Sequence, residues 1–297
     1  MFCYTLSMSD SYEHVSWTDV LNHLDTLNIA SGGFTNSLSG IIHLPNKGDY
    51  FLKLAQDSEN AQWVNKEINI YKILNKYGFK LTPKLIATDS VNRGFLTTAL
   101  TLSDGWDWSD KWNEARLDTT FESMNMLAEI KLNDSDKHIF ESHRGSYFHN
   151  GWIAINKSYD KTRFVYDRIG ADANLDILKE LYEIHNFTPK KDTLVHNDLR
   201  GGNTAYSKNL NVVMLVDWPW AEIGDKNLDT NALLVNVSCS GMKLSEKYQK
   251  LLRPKELHWL AGFWLDCAYK TWNEEKTEIS ESFIRSANRA LILAREL

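Results

Sequence analysis

Three oxygen-bearing side chains stand out by type and spacing: Asp198, Asn203 and Asp217. The first two lie in His196-Asn197-Asp198-Leu199-Arg200-Gly201-Gly202-Asn203, which is H-x-D-x-x-x-x-N. The third follows the apolar run Val212-Val213-Met214-Leu215-Val216. Such a set suits transfer of a phosphoryl group from a nucleoside triphosphate, where a carboxylate receives or orients the proton of the acceptor hydroxyl and oxygen ligands hold Mg²⁺ on the phosphates. Asp198 is the candidate base, and Asn203 and Asp217 are the candidate metal ligands. His196 reads as a structural hydrogen-bonder that positions the loop, and Arg200 as either a phosphate clamp or a structural arginine.

The elements that must position these groups follow from the apolar pattern. Thr193-Leu194-Val195 and Val212–Val216 are short β-leaning runs on either side of the polar loop, so a hairpin returns Asp217 towards Asp198. Upstream, Ser16-Trp17-Thr18-Asp19 is a capped helix start feeding an apolar stripe of Val20, Leu21, Leu24 and Leu27. Ser37 to Leu44 and Asp49 to Ala55 are extended runs joined by Pro45-Asn46-Lys47-Gly48. Leu85 to Thr88 and Gly94 to Leu100 are two more. Between them, residues Asn60 to Tyr77 place Trp63, Ile70, Tyr71 and Leu74 on one helical face, with Gly78 as the stop. Glu67 shares that inward face, and a buried carboxylate wants a cation. Lys53, near the end of the second extended run, is the obvious partner; similarity to kinases, in which a lysine at this place pairs with the α and β phosphates, would give it that role here. A lobe boundary is expected near residue 101. Beyond it the chain reads as mostly helical, with Thr119 to Leu132, Leu175 to His185, Pro254 to Trp272 and Ile279 to Glu296.

The run from Leu194 to Asn203, together with Val216-Asp217-Trp218-Pro219-Trp220-Ala221-Glu222-Ile223-Gly224-Asp225 and Leu228-Asp229, resembles the aminoglycoside phosphotransferase family and its choline-kinase-like relatives. The resemblance implies an α+β, bilobal, protein-kinase-like fold. Residues 1–100 would form a small antiparallel-sheet lobe with one key helix, and residues 101–297 a larger, mainly helical lobe. It also implies ATP and Mg²⁺ as cofactors and a small-molecule hydroxyl as acceptor, of the aminoglycoside, amino-alcohol or sugar kind. A nucleotide-binding pseudokinase of the same fold is the rival reading. By resemblance, Ser31, Gly32 and Gly33 form the loop over the phosphates, and Thr98 and Leu100 lie in the hinge whose backbone meets the nucleobase. Asp229 matches the family's acidic residue near a helix start, with plain N-terminal capping as the alternative. Trp218-Pro219-Trp220 replaces the Phe-Gly that follows this aspartate in protein kinases, a departure that bears on the acceptor.

Only Trp218 to Leu228 separate Asp217 from Asp229, and no A-P-E follows, which leaves no room for a peptide-docking shelf and argues against a protein substrate. Acceptor contacts are expected instead from Trp218, Trp220 and Glu222 and from Asp266, Tyr269 and Trp272. Aromatic walls with carboxylates would suit a polyhydroxylated or amine-bearing ligand.

Composition narrows the remaining classes. With 33 Lys plus Arg against 39 Asp plus Glu, there is no basic field to hold nucleic acid. Three cysteines without C-x-x-C spacing argue against a disulfide framework or a zinc site, and His138, His143 and His149 show no ligand spacing. No apolar run approaches the length of a membrane span and the first residues lack a secretory pattern, so a cytoplasmic protein without a membrane partner is expected. Neither a Walker nor a dinucleotide glycine motif occurs.

Overall fold

A computed structural model describes residues 15–30, 37–140, 148–169 and 187–297. The chain divides into two compact units between Trp106 and Asp107.

The first unit holds a five-stranded antiparallel sheet. Helix α1 (Trp17–Asn22) precedes strands β1 (Asn28–Ile29), β2 (Ser37–Leu44) and β3 (Gly48–Ala55). Helix α2 (Ser58–Lys76) follows, then β4 (Leu85–Thr88) and β5 (Gly94–Thr98). Strand order is β1-β2-β3-β5-β4. The expected capping box opens α1: Ser16 Oγ accepts from Asp19 N at 3.1 Å and Ser16 N donates to Asp19 Oδ2 at 3.2 Å. The apolar stripe is shorter than its sequence suggests. The helix ends at Asn22, Leu21 is exposed, and Leu24 and Leu27 pack only partly against the core. That core, on one face of the sheet, joins Val15, Val20, Ile42, Leu44, Tyr50, Leu52 and Leu96. Alternation along β3 turns Phe51, Lys53 and Ala55 to the other face. Lys53 lies opposite Phe95 in the register, and Phe95 meets Tyr71 of α2 with ring centroids 5.5 Å apart, so α2 covers the face that carries Lys53. Gly78, at φ +72°, is the left-handed stop just past α2, as its position after the last apolar residue predicts.

The second unit begins in the two-residue strand β6 (Trp106–Asp107). Helices α3 (Glu114–Ala128), α4 (Asp134–Phe140), α5 (Gly151–Asn156) and α6 (Tyr159–Arg168) follow. Then come strands β7 (Thr193–Val195), β8 (Thr204–Ser207), β9 (Val212–Leu215) and β10 (Glu222–Gly224). Helices α7 (Lys226–Cys239), α8 (Glu246–Gln249), α9 (Pro254–Asn273) and α10 (Thr277–Arg295) complete it. The helix expected over Thr119 to Leu132 begins earlier, at the Asn113 cap, and ends at Ala128. The one expected over Leu175 to His185 lies outside the described residues.

The two short runs around the polar loop do not pair with each other. Strand β7 pairs with β10, and β9 pairs with β8, a strand hidden in the sequence immediately after Asn203. No helix among the described residues is long and apolar enough to cross a membrane.

Candidate active site

In the first unit, Lys53 Nζ meets Glu67 Oε2 at 2.8 Å, with 11% of the lysine side chain exposed and 2% of the glutamate. Removing one partner of a pair buried this deeply typically costs about 3–5 kcal/mol, because the other is left as an unpaired charge. Thr98 is buried at the end of β5, where its Oγ1 accepts from Lys84 N at 3.1 Å; Leu100 is buried just beyond. Ser31, Gly32 and Gly33 lie outside the described residues.

In the second unit the polar loop is fixed at every step. His196 is fully buried; its Nε2 lies 2.9 Å from Val216 O, and its Nδ1 lies 3.3 Å from Asp198 N. Burial holds the imidazole well down, to about 4, so it is neutral, with Nε2–H donating and Nδ1 accepting. Val216 N in turn donates to Asn203 O at 3.1 Å, which ties the residue before Asp217 to the candidate metal ligand. Asn203 Nδ2 donates to Asp198 O at 2.7 Å and to Asp198 Oδ2 at 2.8 Å, leaving Oδ1 as the end of the amide that a hard cation would take. Arg200 Nε stands 3.5 Å from Asp198 Oδ2. Burial pushes the Asp198 carboxyl up to about 6; Arg200 pulls against that shift, and the charge of Asp217 adds to it.

Two residues of this loop region adopt left-handed backbone without being glycine: Asn197 at φ +67° and Asp217 at φ +66°. Asn197 is held there from outside. Its N–H donates to Asp229 Oδ1 at 2.9 Å, and its Nδ2 donates to Trp220 O at 3.1 Å and Glu222 Oε1 at 3.0 Å. His196 N donates to Asp229 Oδ2 at 3.2 Å. Asp229 is therefore not a helix cap. Asp225 caps α7, accepting from Asn227 N at 2.8 Å, while Asp229, a turn further on, anchors the loop. Burial pushes Asp229 up to about 7 even though both backbone donors favour its charged form.

A Mg²⁺ ion fits this donor set. Asn203 and Asp217 offer hard oxygens, and the mutual repulsion of Asp198 and Asp217 is relieved by a cation. Among the described residues, no group of three or more His, Cys, Asp or Glu is placed to hold a metal ion.

A family model described as the phosphotransferase enzyme family matches residues 26–249. The chain belongs to that family. Solved structures share the fold of this phosphotransferase at low identity. The choline kinase LicA from Streptococcus pneumoniae superimposes with a TM-score of 0.56 at 14% identity, over 93% of this chain and 99% of that one. A spectinomycin phosphotransferase crystallised with ADP and its antibiotic gives 0.60 at 12%, over 91% and 93%. The GDP complex of aminoglycoside 2'-phosphotransferase-IIIa gives 0.59 at 15%, over 95% and 98%. No curated protein sequence matches the chain significantly. The expected protein-kinase-like α+β architecture is thus the architecture of the phosphotransferase.

The residues expected to meet the acceptor fare unequally. Trp218 is fully buried beside His196, with ring centroids 4.5 Å apart, and has no surface to offer a ligand. Glu222 is 4% exposed and bonded to Asn197, so it serves the loop. Asp266 is fully buried under His149 at 3.0 Å, Lys161 at 2.5 Å and Lys270 at 2.6 Å. Burial opposes its charge, yet these three bonds hold its carboxyl far below the usual carboxylate range. Tyr269 and Trp272 are half-buried against Phe164, with Lys161 over the first ring and Arg168 over the second. Trp220 is half-buried.

Sequence reasoning gave no role to Asn197, Asp110 or Arg116 in this region. Gly201 shows why the loop has its composition, since a Cβ there would sit 1.9 Å from Asp110 Oδ1. Gly201→Ala should destabilise the phosphotransferase by about 1–3 kcal/mol through overpacking. Adding Asp110→Ala should return much of that loss. Urea denaturation of both single variants and the double variant checks this, and strictly additive losses would show that the two sites do not touch.

Proposed function

We propose that this phosphotransferase is a Mg²⁺-dependent kinase that moves the γ-phosphoryl group of ATP to a hydroxyl of a small polar molecule. The observation that carries the reading is the placement of Asp198. Its carboxylate is fixed by Asn203, faces the charge of Asp217, and sits on a loop anchored by His196 and Asp229. In the reaction, the acceptor oxygen bonds to the γ-phosphorus as the bond from that phosphorus to the β,γ-bridging oxygen breaks. Asp198 takes the hydroxyl proton, and ADP leaves with the bridging oxygen. Mg²⁺, when bound, neutralises charge on the phosphates. Asn203 and Asp217 would hold it by their side-chain oxygens. Lys53, fixed by Glu67, is the cation for the α and β phosphates. Solved structures of the same fold with AMP, ADP or GDP bound support a nucleotide as donor.

The intact set of Lys53, Glu67, Asp198, Asn203 and Asp217 favours turnover over a binding-only role. For the acceptor, Trp220 is the candidate contact beside the catalytic loop. Glu222 and Asp266 are engaged within the protein and lend no support to an ammonium site.

A panel of aminoglycosides, other hydroxylated antibiotics, amino alcohols and sugars, scored by acceptor-dependent ADP release, tests this. At least one member should stimulate ADP release about tenfold or more over hydrolysis alone. Efficient phosphorylation of peptide libraries with a silent small-molecule panel would refute it.

A further inference from the structure

Arg116 is a charged side chain with no exposed surface; the charges of Asp107 and Asp110 act on it, but among the described residues no carboxylate is bonded to it. It sits in the first turn of α3, its own N–H capped by Asn113 Oδ1 at 2.9 Å. Nη1 donates to Ser109 O and, at 3.4 Å, to Lys111 O. Nη2 donates to Gly201 O at 3.3 Å, Thr204 O at 2.7 Å and Thr204 Oγ1 at 3.1 Å. The guanidinium carbon lies 4.5 Å from the ring centre of Trp112, and Nε is buried without a partner. Burying a guanidinium is costly, and a well-packed apolar residue would often serve stability as well or better. What the charge provides here is geometry, because a planar fork can hold several carbonyls at once where a point donor cannot.

The carbonyls it holds are the informative part. Gly201 and Thr204 stand at the entry and exit of the 3₁₀ turn Gly201–Asn203, which presents Asn203. Thr204 Oγ1 closes the same turn by donating to Arg200 O at 3.0 Å. Asn203 then orients Asp198 through Nδ2. Helix α3 also reaches the neighbouring hairpin, with Ser123 Oγ donating to Val213 O at 3.0 Å in β9, the strand leading to Asp217. We propose that Arg116 is a positioning residue for phosphoryl transfer, whose guanidinium staples both ends of the turn bearing Asn203 to the Ser109–Lys111 backbone and so sets the metal ligand and, through it, Asp198. The role in transfer rests on the kinase reading above; the staple itself does not.

The test compares wild type with Arg116→Lys, which keeps the charge and loses the fork, and with Thr204→Val, which removes the three hydrogen bonds of the Thr204 hydroxyl at nearly constant volume. Three readouts are taken on the full chain: thermal melting, turnover with the best acceptor across a Mg²⁺ titration, and backbone hydrogen exchange over residues 198–204. Arg116→Lys should lower turnover about 30-fold and raise the half-activating Mg²⁺ concentration several-fold, with the acceptor KM little changed. Exchange over 198–204 should quicken about tenfold relative to the core of α3. Thr204→Val should show the same pattern more weakly. If a folded Arg116→Lys chain melts lower but keeps its turnover, Mg²⁺ requirement and loop protection, Arg116 is structural only and the proposal is overturned; should that variant fail to fold, unchanged loop exchange and Mg²⁺ requirement in Thr204→Val overturn it equally. Failure of the kinase reading looks different, since Asp198→Asn and Asn203→Ala would then leave ATP turnover untouched whatever the exchange data show.

Discussion

Asp198→Asn should give a folded protein that binds Mg·ATP within a few-fold of wild type and turns over about 10³-fold more slowly. The substitution is almost isosteric, so Asn203 Nδ2 and Arg200 can still find an oxygen where Asp198 Oδ2 stood. What is lost is the carboxylate proposed to take the acceptor's proton. Ground-state binding of the nucleotide does not use that group, which is why the two parameters should separate. The same residue sets a pH dependence. Its carboxyl, pushed up to about 6 by burial, must be ionised to serve as base, so turnover should fall as pH drops through that region and level off above it. Mg²⁺ beside Asp217 would shift the limb to lower pH, because it offsets the negative charge that helps raise Asp198. Steady-state rates from pH 5 to 8 at several Mg²⁺ concentrations check both points. Equal loss of nucleotide affinity and turnover would move the proton-transfer role to another residue.

Asp217→Ala should be comparably severe for a different reason. A triphosphate and the carboxylate of Asp198 would then share one region without the ion that separates their charges, so Mg²⁺-dependent nucleotide affinity and turnover should both fall about 100-fold or more. Isothermal titration with Mg·ATP, and with ATP in chelator, is the measurement. The wild type should lose affinity on chelation and the variant should not. Unchanged Mg·ATP affinity in a folded variant would remove Asp217 as a metal ligand. The loss of a side chain at a left-handed position is a small stability effect by comparison, so melting separates unfolding from loss of the ion.

Much of this was legible from residue pattern alone, and the failures share a physical origin. Lys53 and Glu67 could be paired in advance because strand alternation and helical periodicity each leave one face buried, and both residues fell on such faces. The order Asp198, Asn203, Asp217 stood out because phosphoryl transfer would call for those types at short spacing. Strand β8 was not, since Thr204–Ser207 is buried on both faces and shows no alternation. Helix α7 was expected only by resemblance, as a helix start near Asp229; it is buried nearly all round, Asp229, Thr230 and Asn231 included, so no polar face marks its period. Glu222 was read as a ligand contact because an acidic residue beside aromatics suggests a pocket. Only the fold brings up Asn197, whose Nδ2 donates to its carboxylate. Arg116 left no signal at all: its partners are backbone carbonyls and one hydroxyl, and those of Gly201 and Thr204 are more than 80 residues away.

The left-handed backbone of Asn197 has a consequence for the order in which the molecule matures. Most L-residues give up about 1–2 kcal/mol at that φ; asparagine is among the few that visit it, so the local chain permits the conformation without fixing it. Its backbone anchor, Asp229, lies 32 residues further along, on α7. On a ribosome, the loop would therefore emerge in some other shape and stay catalytically silent while its own residues were already exposed. It could take its working shape only after α7 had been synthesised, wound and docked. Competence for chemistry is in this sense a late event of folding, tied to a helix that contains none of the reacting groups.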